Sequence, residues 1–193
     1  MNLPNKLTVF RMLLIPIFII LLVIPTYSAV NIMGAIVPIT HVLAAIVFII
    51  ASLTDLLDGK IARARHLVTN FGKFADPLAD KLLVMTALIF LVQFNKAPAW
   101  IIAIIVIREL AITGLRLLIV ENNGKVLAAA YPGKIKTTTQ MIAIIFFYLN
   151  DAFFSPLHVP FATIMLWIAL IFTIYSGIDY FVQNRSVFSD GFK

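Results

Sequence analysis

The chain has 193 residues, 62% of them hydrophobic and 12% charged, with a formal net charge of +6 and a mean hydropathy of +1.03. A soluble domain is about half apolar and about a quarter charged, so this composition is that of a single membrane domain with too little chain left for a sizeable soluble one. The absence of cysteine excludes disulfides, thiolate metal sites and cysteine nucleophiles, and the positive charge fits cytoplasmic loops and anionic lipid or phosphate better than nucleic acid.

Six apolar segments follow in chain order, at 7–26, 36–56, 77–94, 98–119, 137–152 and 158–182. Each is about long enough to cross a ~30 Å hydrocarbon core as a helix, the third and fifth having the shortest apolar runs. Their apolar character is continuous rather than alternating, which argues for helices and against a barrel. The predicted architecture is all-α: a polytopic membrane protein with six transmembrane helices in one bundle, a single domain over 1–193. The first segment has leader-like charges, Lys6 and Arg11, ahead of its apolar run, but a poor cleavage site follows at 25–30, so it is expected to be retained. Pro16 is expected to kink it.

Positive charge sets the orientation. Lys60, Arg63, Arg65, Lys73 and Lys81 lie between segments two and three, and Arg116, Lys125, Lys134 and Lys136 between four and five. Lys6 and Arg11 lie at one end and Arg185 and Lys193 at the other. Six spans put all of these on one side, with Lys96 in a loop on the other. Both termini are therefore expected to face the cytoplasm, in the cell membrane.

Four of the nine acidic residues lie where segment two ends and segment three begins: Asp55 and Asp58, then Asp76 and Asp80. Carboxylates are costly near lipid, and a cluster there marks a functional site. Spacings of three and four place each pair on one face of its helix. Two antiparallel neighbours would bring the four together, where repulsion demands cations. Magnesium or manganese suits oxygen-only donors, and two such ions would bridge phosphate oxygens. Small residues at Gly59 and Ala62 let a ligand approach the backbone, and Arg63 supplies a cation for phosphate. The combination points to phosphoryl chemistry at a membrane surface.

A second set of charges lies further along. Arg108 and Glu109 sit within an apolar span, where ionised groups face the interior. Arg108, Arg116, Lys134 and Lys136 form a candidate basic pocket beside the aspartates, more positive charge than a neutral acceptor needs. They favour an acceptor that carries its own phosphate. Inositol phosphate is one molecule of that kind, and the charges narrow the class without naming the molecule. Glu109 is expected to be a structural partner of a neighbouring arginine. His41 and His158 read as structural, His66 as solvated, and Asp151 and Asp179 as helix-end charges.

The string D-x2-D-G-x2-A-R-x8-G-x3-D-x3-D is present as Asp55, Asp58, Gly59, Ala62, Arg63, Gly72, Asp76 and Asp80. It resembles the signature of the CDP-alcohol phosphatidyltransferases without a departure. The resemblance implies a six-helix membrane enzyme in which CMP leaves a CDP-linked lipid and an alcohol takes the phosphatidyl group. It implies that Asp55, Asp58 and Asp76 hold the metals, with Asp80 beside them as the general base. It also implies that Gly59, Ala62, Arg63 and Gly72 meet the CDP portion. For Asn5 and Thr8, capping the first helix and holding the CDP portion both stand open. The opening Asn2–Arg11, the run Ile107–Leu110 with Arg116, and the run Gly133–Gln140 are similar to blocks of the bacterial branch that uses glycerol 3-phosphate. CDP-diacylglycerol, glycerol 3-phosphate and membrane lipids are then the implied partners, and a homodimer the implied assembly. No serine or histidine stands out as a nucleophile, which favours direct attack by the acceptor hydroxyl. A divalent-cation transporter is the reading from another class, but it needs carboxylates across the membrane, and here all but Glu109 stop at one face.

Overall fold

Long apolar runs become helices because a helix satisfies its own backbone hydrogen bonds where water is absent. A computed structural model describes residues 3–64, 70–121 and 131–185, with side chains described outside 3–4, 56–64, 70–77 and 120–121. The elements are α1 (Leu3–Val23), β1 (Ala29–Ile32), β2 (Ala35–Pro38), α2 (Ile39–Ala64), α3 (Asn70–Gln93), α4 (Ala99–Glu121), α5 (Tyr131–Tyr148), a short 3-10 turn (Ser155–Leu157) and α6 (Phe161–Gln183). The six expected helices are present. By length and composition, α1 and α6 are apolar enough to cross a membrane, and the apolar stretch of α2, Ile39–Asp55, is shorter.

The hairpin departs from the expected all-α chain. Segment two was expected to be helical from Ile36, yet Ala35–Pro38 pairs antiparallel with Ala29–Ile32, Ile32 opposite Ala35. Met33 and Gly34 both take positive φ, 48° and 91°, the conformation a two-residue hairpin turn requires. The Asn31 side-chain oxygen accepts the Gly34 N–H at 2.9 Å. Ala35 and Val37 are buried while Ile36 is exposed. That alternation is a strand pattern, too short to show within a long apolar run.

The chain divides into two compact units, Met1–Lys96 with Ile144–Ala162, and Ala97–Ala143 with Thr163–Lys193. In the first unit α1 packs on both α2 and α3, which also touch each other. Its core is built on small residues. Ala44, Ala45 and Ala51 flank Phe48 on α2, and Ala79, Leu83, Ala87 and Leu91 repeat every fourth residue on α3. Alanines let helix backbones approach closely, where packing and hydrogen bonds rather than hydrophobicity hold helices together. Phe18 of α1 lies in the gap, edge-on to Tyr148 with ring centroids 5.5 Å apart. The Tyr148 hydroxyl donates to the Ala87 carbonyl at 2.9 Å.

Lys96, between α3 and α4, ties the far end of this unit. Its ammonium donates to the Phe147 carbonyl at 2.8 Å and to Asn150 Oδ1 at 2.7 Å. It lies 3.2 Å from His41 Nδ1; an ammonium has no acceptor, so that nitrogen accepts. Asn150 in turn donates to the Ile36 carbonyl of the hairpin. Asp151 accepts the Ala162 N–H at the start of α6, as expected of a helix-end charge. In the second unit, Ile112, Leu115 and Ile119 of α4 pack with Tyr180 of α6, and Trp100 meets Trp167 edge-on.

Burial lowers the Lys96 pKa from 10.5 to about 8, with the Asp151 carboxylate opposing the shift. The folded value lies below the unfolded one, so the unfolded chain binds more protons between them and stability rises with pH in that window. Thermal unfolding of detergent-solubilised protein at about pH 7.5 and about pH 10, which span most of that window, checks this. The wild type is expected to gain stability relative to Lys96→Met as pH rises; parallel pH profiles would contradict it.

Candidate active site

The N-terminal end of α1 carries polar residues where its far end carries apolar ones. Asn5, Thr8 and Arg11 are all buried, at intervals of three, and Leu14, Phe18 and Leu22 continue the buried side. Because α1 starts at Leu3, Asn5 and Thr8 lie inside the helix. That removes the N-cap reading, since a cap residue stands outside the first turn. Two buried polar side chains within a helix need partners from elsewhere in the fold.

Arg11 shows why this face is polar. Its Nη1 donates to Asp55 Oδ1 at 2.6 Å, with side-chain exposures of 1% and 30%. Asp55 follows the buried Ala51 by one turn of α2. A guanidinium stays charged under all ordinary conditions, so its burial demands a carboxylate. The first aspartate of the motif is therefore held from α1. This role of Arg11 was not foreseen: as one of two N-terminal cations, it looked like a topology charge.

Asp80 lies half-buried on α3, beside the buried Ala79. Asp58, Gly59, Ala62, Arg63, Gly72 and Asp76 lie outside the described side chains, although α2 and α3 are helical through those positions. Helix geometry puts Asp55 and Asp58 on one face and Asp76 and Asp80 on one face. Among the described residues no group of three metal-ligating side chains is assembled. The motif's acidic donors are all carboxylates, and such a set fits a hard divalent cation rather than a soft one.

In the second unit the basic residues expected to act together are sorted by the fold. Arg108 Nη1 donates to Glu109 Oε1 at 2.8 Å, and Lys136 Nζ of α5 donates to the same oxygen. Arg108 Nη2 reaches Ser176 Oγ of α6 at 2.9 Å. One carboxylate and one hydroxyl thus bind three helices around two cations. Glu109 is the arginine partner expected of it, and it holds Lys136 as well. Arg116, two turns along α4 from Arg108, lies instead over the Tyr180 ring at 5.5 Å, a cation–π contact. Lys134 is exposed and outside this network, so only Arg108 and Lys136 of the four are brought to one point. Ser176 carried no sequence signal, since a lone serine in an apolar run is unremarkable.

Several buried polar atoms here have no partner among the described residues: Arg108 Nε, Arg116 Nε, Gln140 Oε1 and Thr173 Oγ1. Buried polar groups are nearly always paired, so these atoms are the ones in this unit left to be satisfied by groups other than the described residues.

Residues 1–175 match the family model of CDP-alcohol phosphatidyltransferase. The chain belongs to that family. It is 50% identical over 184 residues to the CDP-diacylglycerol–glycerol-3-phosphate 3-phosphatidyltransferase of Bacillus subtilis, covering 95% of each chain. It is 37% identical over 179 residues to a probable phosphatidylglycerophosphate synthase of Mycobacterium tuberculosis, covering 93% of this chain and 79% of the other. It is 36% identical over 190 residues to the CDP-diacylglycerol–glycerol-3-phosphate 3-phosphatidyltransferase of Rickettsia bellii, covering 97% of each. Family membership and the two apolar helices together make this a membrane protein.

The Arg11–Asp55 pair is open to a double-mutant cycle. Arg11→Met should cost about 1–3 kcal/mol of stability, less than a fully buried pair because Asp55 is partly exposed. The coupling with Asp55→Asn should exceed about 1 kcal/mol. Additive effects in thermal or denaturant unfolding would show that the contact does not hold the two helices.

Proposed function

We propose that this phosphatidyltransferase moves the phosphatidyl group of CDP-diacylglycerol to glycerol 3-phosphate, giving phosphatidylglycerol phosphate and CMP. The observation that carries the reading is the 50% identity, over 95% of both chains, to a relative whose name states that reaction. The Arg108–Glu109–Lys136 cluster supports it from the chain's own chemistry, because an acceptor with a phosphate is what a half-buried arginine beside a buried lysine would recruit.

The six helices cross the membrane, with both termini and the aspartate motif on the cytoplasmic side, where CDP-lipid headgroups and soluble acceptors are both present. The positive-inside distribution of Lys and Arg supports this orientation. The enzyme acts as a homodimer by its family resemblance. Asp55, Asp58 and Asp76 hold two Mg2+ or Mn2+ ions, with Asp80 beside them. When bound, such ions neutralise the diphosphate and stabilise departing CMP.

The remaining roles belong to side chains. Asp80 takes the proton of the acceptor's terminal hydroxyl. That oxygen forms a bond to the lipid-bearing phosphorus as the bond from phosphorus to the CMP oxygen breaks. Arg63 meets the CDP phosphates, with Gly59, Ala62 and Gly72 leaving room for the headgroup. Asn5 and Thr8, buried on the same helix as Arg11, hold the CDP portion. Arg108 and Lys136 bind the acceptor phosphate and align it, with Arg116 and Lys134 as weaker contributors.

CMP release with a panel of acceptors, under divalent-metal titration, tests the reading. Glycerol 3-phosphate should support turnover, and chelation should abolish it. Turnover with inositol phosphate but not with glycerol 3-phosphate would overturn the acceptor assignment. Asp80→Asn should lower kcat by about 10²–10⁴-fold, the usual worth of a general base, while leaving CDP-lipid binding intact. Lys136→Ala should raise the apparent KM for glycerol 3-phosphate by about tenfold or more, and Lys134→Ala should change it little; equal effects would refute the sorting of these lysines.

A further inference from the structure

Glycine inside a helix is unfavourable, because it loses more backbone freedom than any other residue and packs nothing. Gly114 and Gly177 both lie within helices of the second unit, and their surroundings differ. Around Gly114 of α4 an added Cβ would meet nothing within 4 Å. At Gly177 of α6 an added Cβ would stand 3.2 Å from Arg108 Cγ and 3.6 Å from Arg108 Nε. Neither glycine has a positive φ, so the backbone does not require either. At Gly177 the requirement comes from Arg108.

The guanidinium there cannot simply move aside. Nη1 is bound to Glu109 Oε1 and Nη2 to Ser176 Oγ. The Ser176 hydroxyl donates its own hydrogen to the Phe172 carbonyl at 2.6 Å, which turns its lone pairs toward the arginine. Two of the three guanidinium nitrogens are thus anchored to protein. The third, Nε, is buried without a partner among the described residues, and it is the nitrogen that a methyl at position 177 would stand against.

We infer that Ser176 and Gly177 are positioning residues that seat Arg108 so that its buried Nε–H is left unspent by the protein, to be paired by a phosphate oxygen of the acceptor. Ser176 fixes the plane of the guanidinium, and Gly177, by lacking a Cβ, lets the Arg108 stem pack against α6 without being displaced. The donors of the arginine are divided: one serves Glu109, which also holds Lys136, one serves Ser176, and the Nε–H is left for an oxyanion. Guanidinium geometry suits this division, because its five donors are rigidly spaced in one plane. The inference rests on the assignment of Arg108 to the acceptor phosphate. The same chemistry would suit the diphosphate of the CDP-lipid, so both substrates enter the test.

The experiment uses the full-length enzyme in detergent, with KM measured separately for glycerol 3-phosphate and CDP-diacylglycerol, and glycerol 3-phosphate binding followed by calorimetry. Gly177→Ala and Ser176→Ala should each raise the KM and the dissociation constant for glycerol 3-phosphate by about tenfold, the loss of one charge-assisted hydrogen bond. The KM for the CDP-lipid should stay within about twofold, within the context scatter of single contacts. Gly114→Ala is the control for replacing a helical glycine and should leave both constants alone. An unchanged acceptor constant in Gly177→Ala, or a shift in the CDP-lipid KM instead, overturns the inference. If Gly177→Ala does not yield a cooperative unfolding transition, Ser176→Ala decides by the same criterion. Arg108→Lys separates the two levels. If it weakens glycerol 3-phosphate while the other two variants do not, the positioning role alone falls. If it leaves the acceptor constant unchanged, the acceptor site on Arg108 falls as well.

Discussion

A cation inside an apolar chain must find an anion, and this requirement organises both units. Removing an ion from water costs several kcal/mol even after relaxation, so an unpaired guanidinium could not be buried as Arg11 is. In the first unit the pairing joins α1 to the first aspartate of the motif. In the second it gathers α4 and α5 on Glu109, and α6 through Ser176. Lipid-facing surfaces offer little discrimination between one helix arrangement and another, because hydrocarbon is as apolar as the helices themselves. Directional charge-assisted bonds supply the discrimination that greasy packing lacks.

The apolar packing complements these bonds. Alanine recurs on the buried faces of α2 and α3, and close backbone approach lets dispersion act over many atoms. Larger residues enter where a gap exists: Phe18 and Tyr148 fill the first unit's interior, with the tyrosine hydroxyl returned to a backbone carbonyl. The polar end of α1 follows from the same logic. Asn5, Thr8 and Arg11 occupy the turns nearest the motif, and the apolar residues of the same buried side take over from Leu14. One helix thus supplies both a structural face and a polar wall.

Much of this was legible in the residue pattern. The six helices follow from the apolar runs, since no other regular structure satisfies backbone groups in such a chain. The aspartates and their spacing made a metal and phosphate reading available before any coordinates, and Glu109 was identifiable as an arginine partner by its isolation in an apolar span. The hairpin was not legible. Its strands are four residues each, and Ile36–Pro38 merges into the apolar run of α2; the signal was the Met33–Gly34 turn. Arg11 was hidden for a different reason. Near a membrane terminus, positive-inside statistics explain any cation cheaply, so its pairing with a residue 44 positions away could only come from tertiary structure. The grouping of Arg108 with Lys136, and the exclusion of Lys134, depend on the half-turn that separates residues two apart on a helix. Position 136 is buried and position 134 exposed, a distinction that a count of basic residues cannot make.

In the acceptor site proposed above, Glu109 would be an anion built into a binding site for an anion. Two cations buried together repel, and each demands desolvation. A single carboxylate between them offsets both costs and leaves the group with one net positive charge. In that proposal the remaining positive charge attracts the phosphate, while the carboxylate fixes the spacing of the two cations. A more positive cluster would attract phosphate more strongly but would hold its geometry less well before the ligand arrives, and alignment matters more to transfer than affinity does. The acid therefore trades some electrostatic pull for preorganisation, and that exchange explains why an apolar helix carries arginine and glutamate side by side.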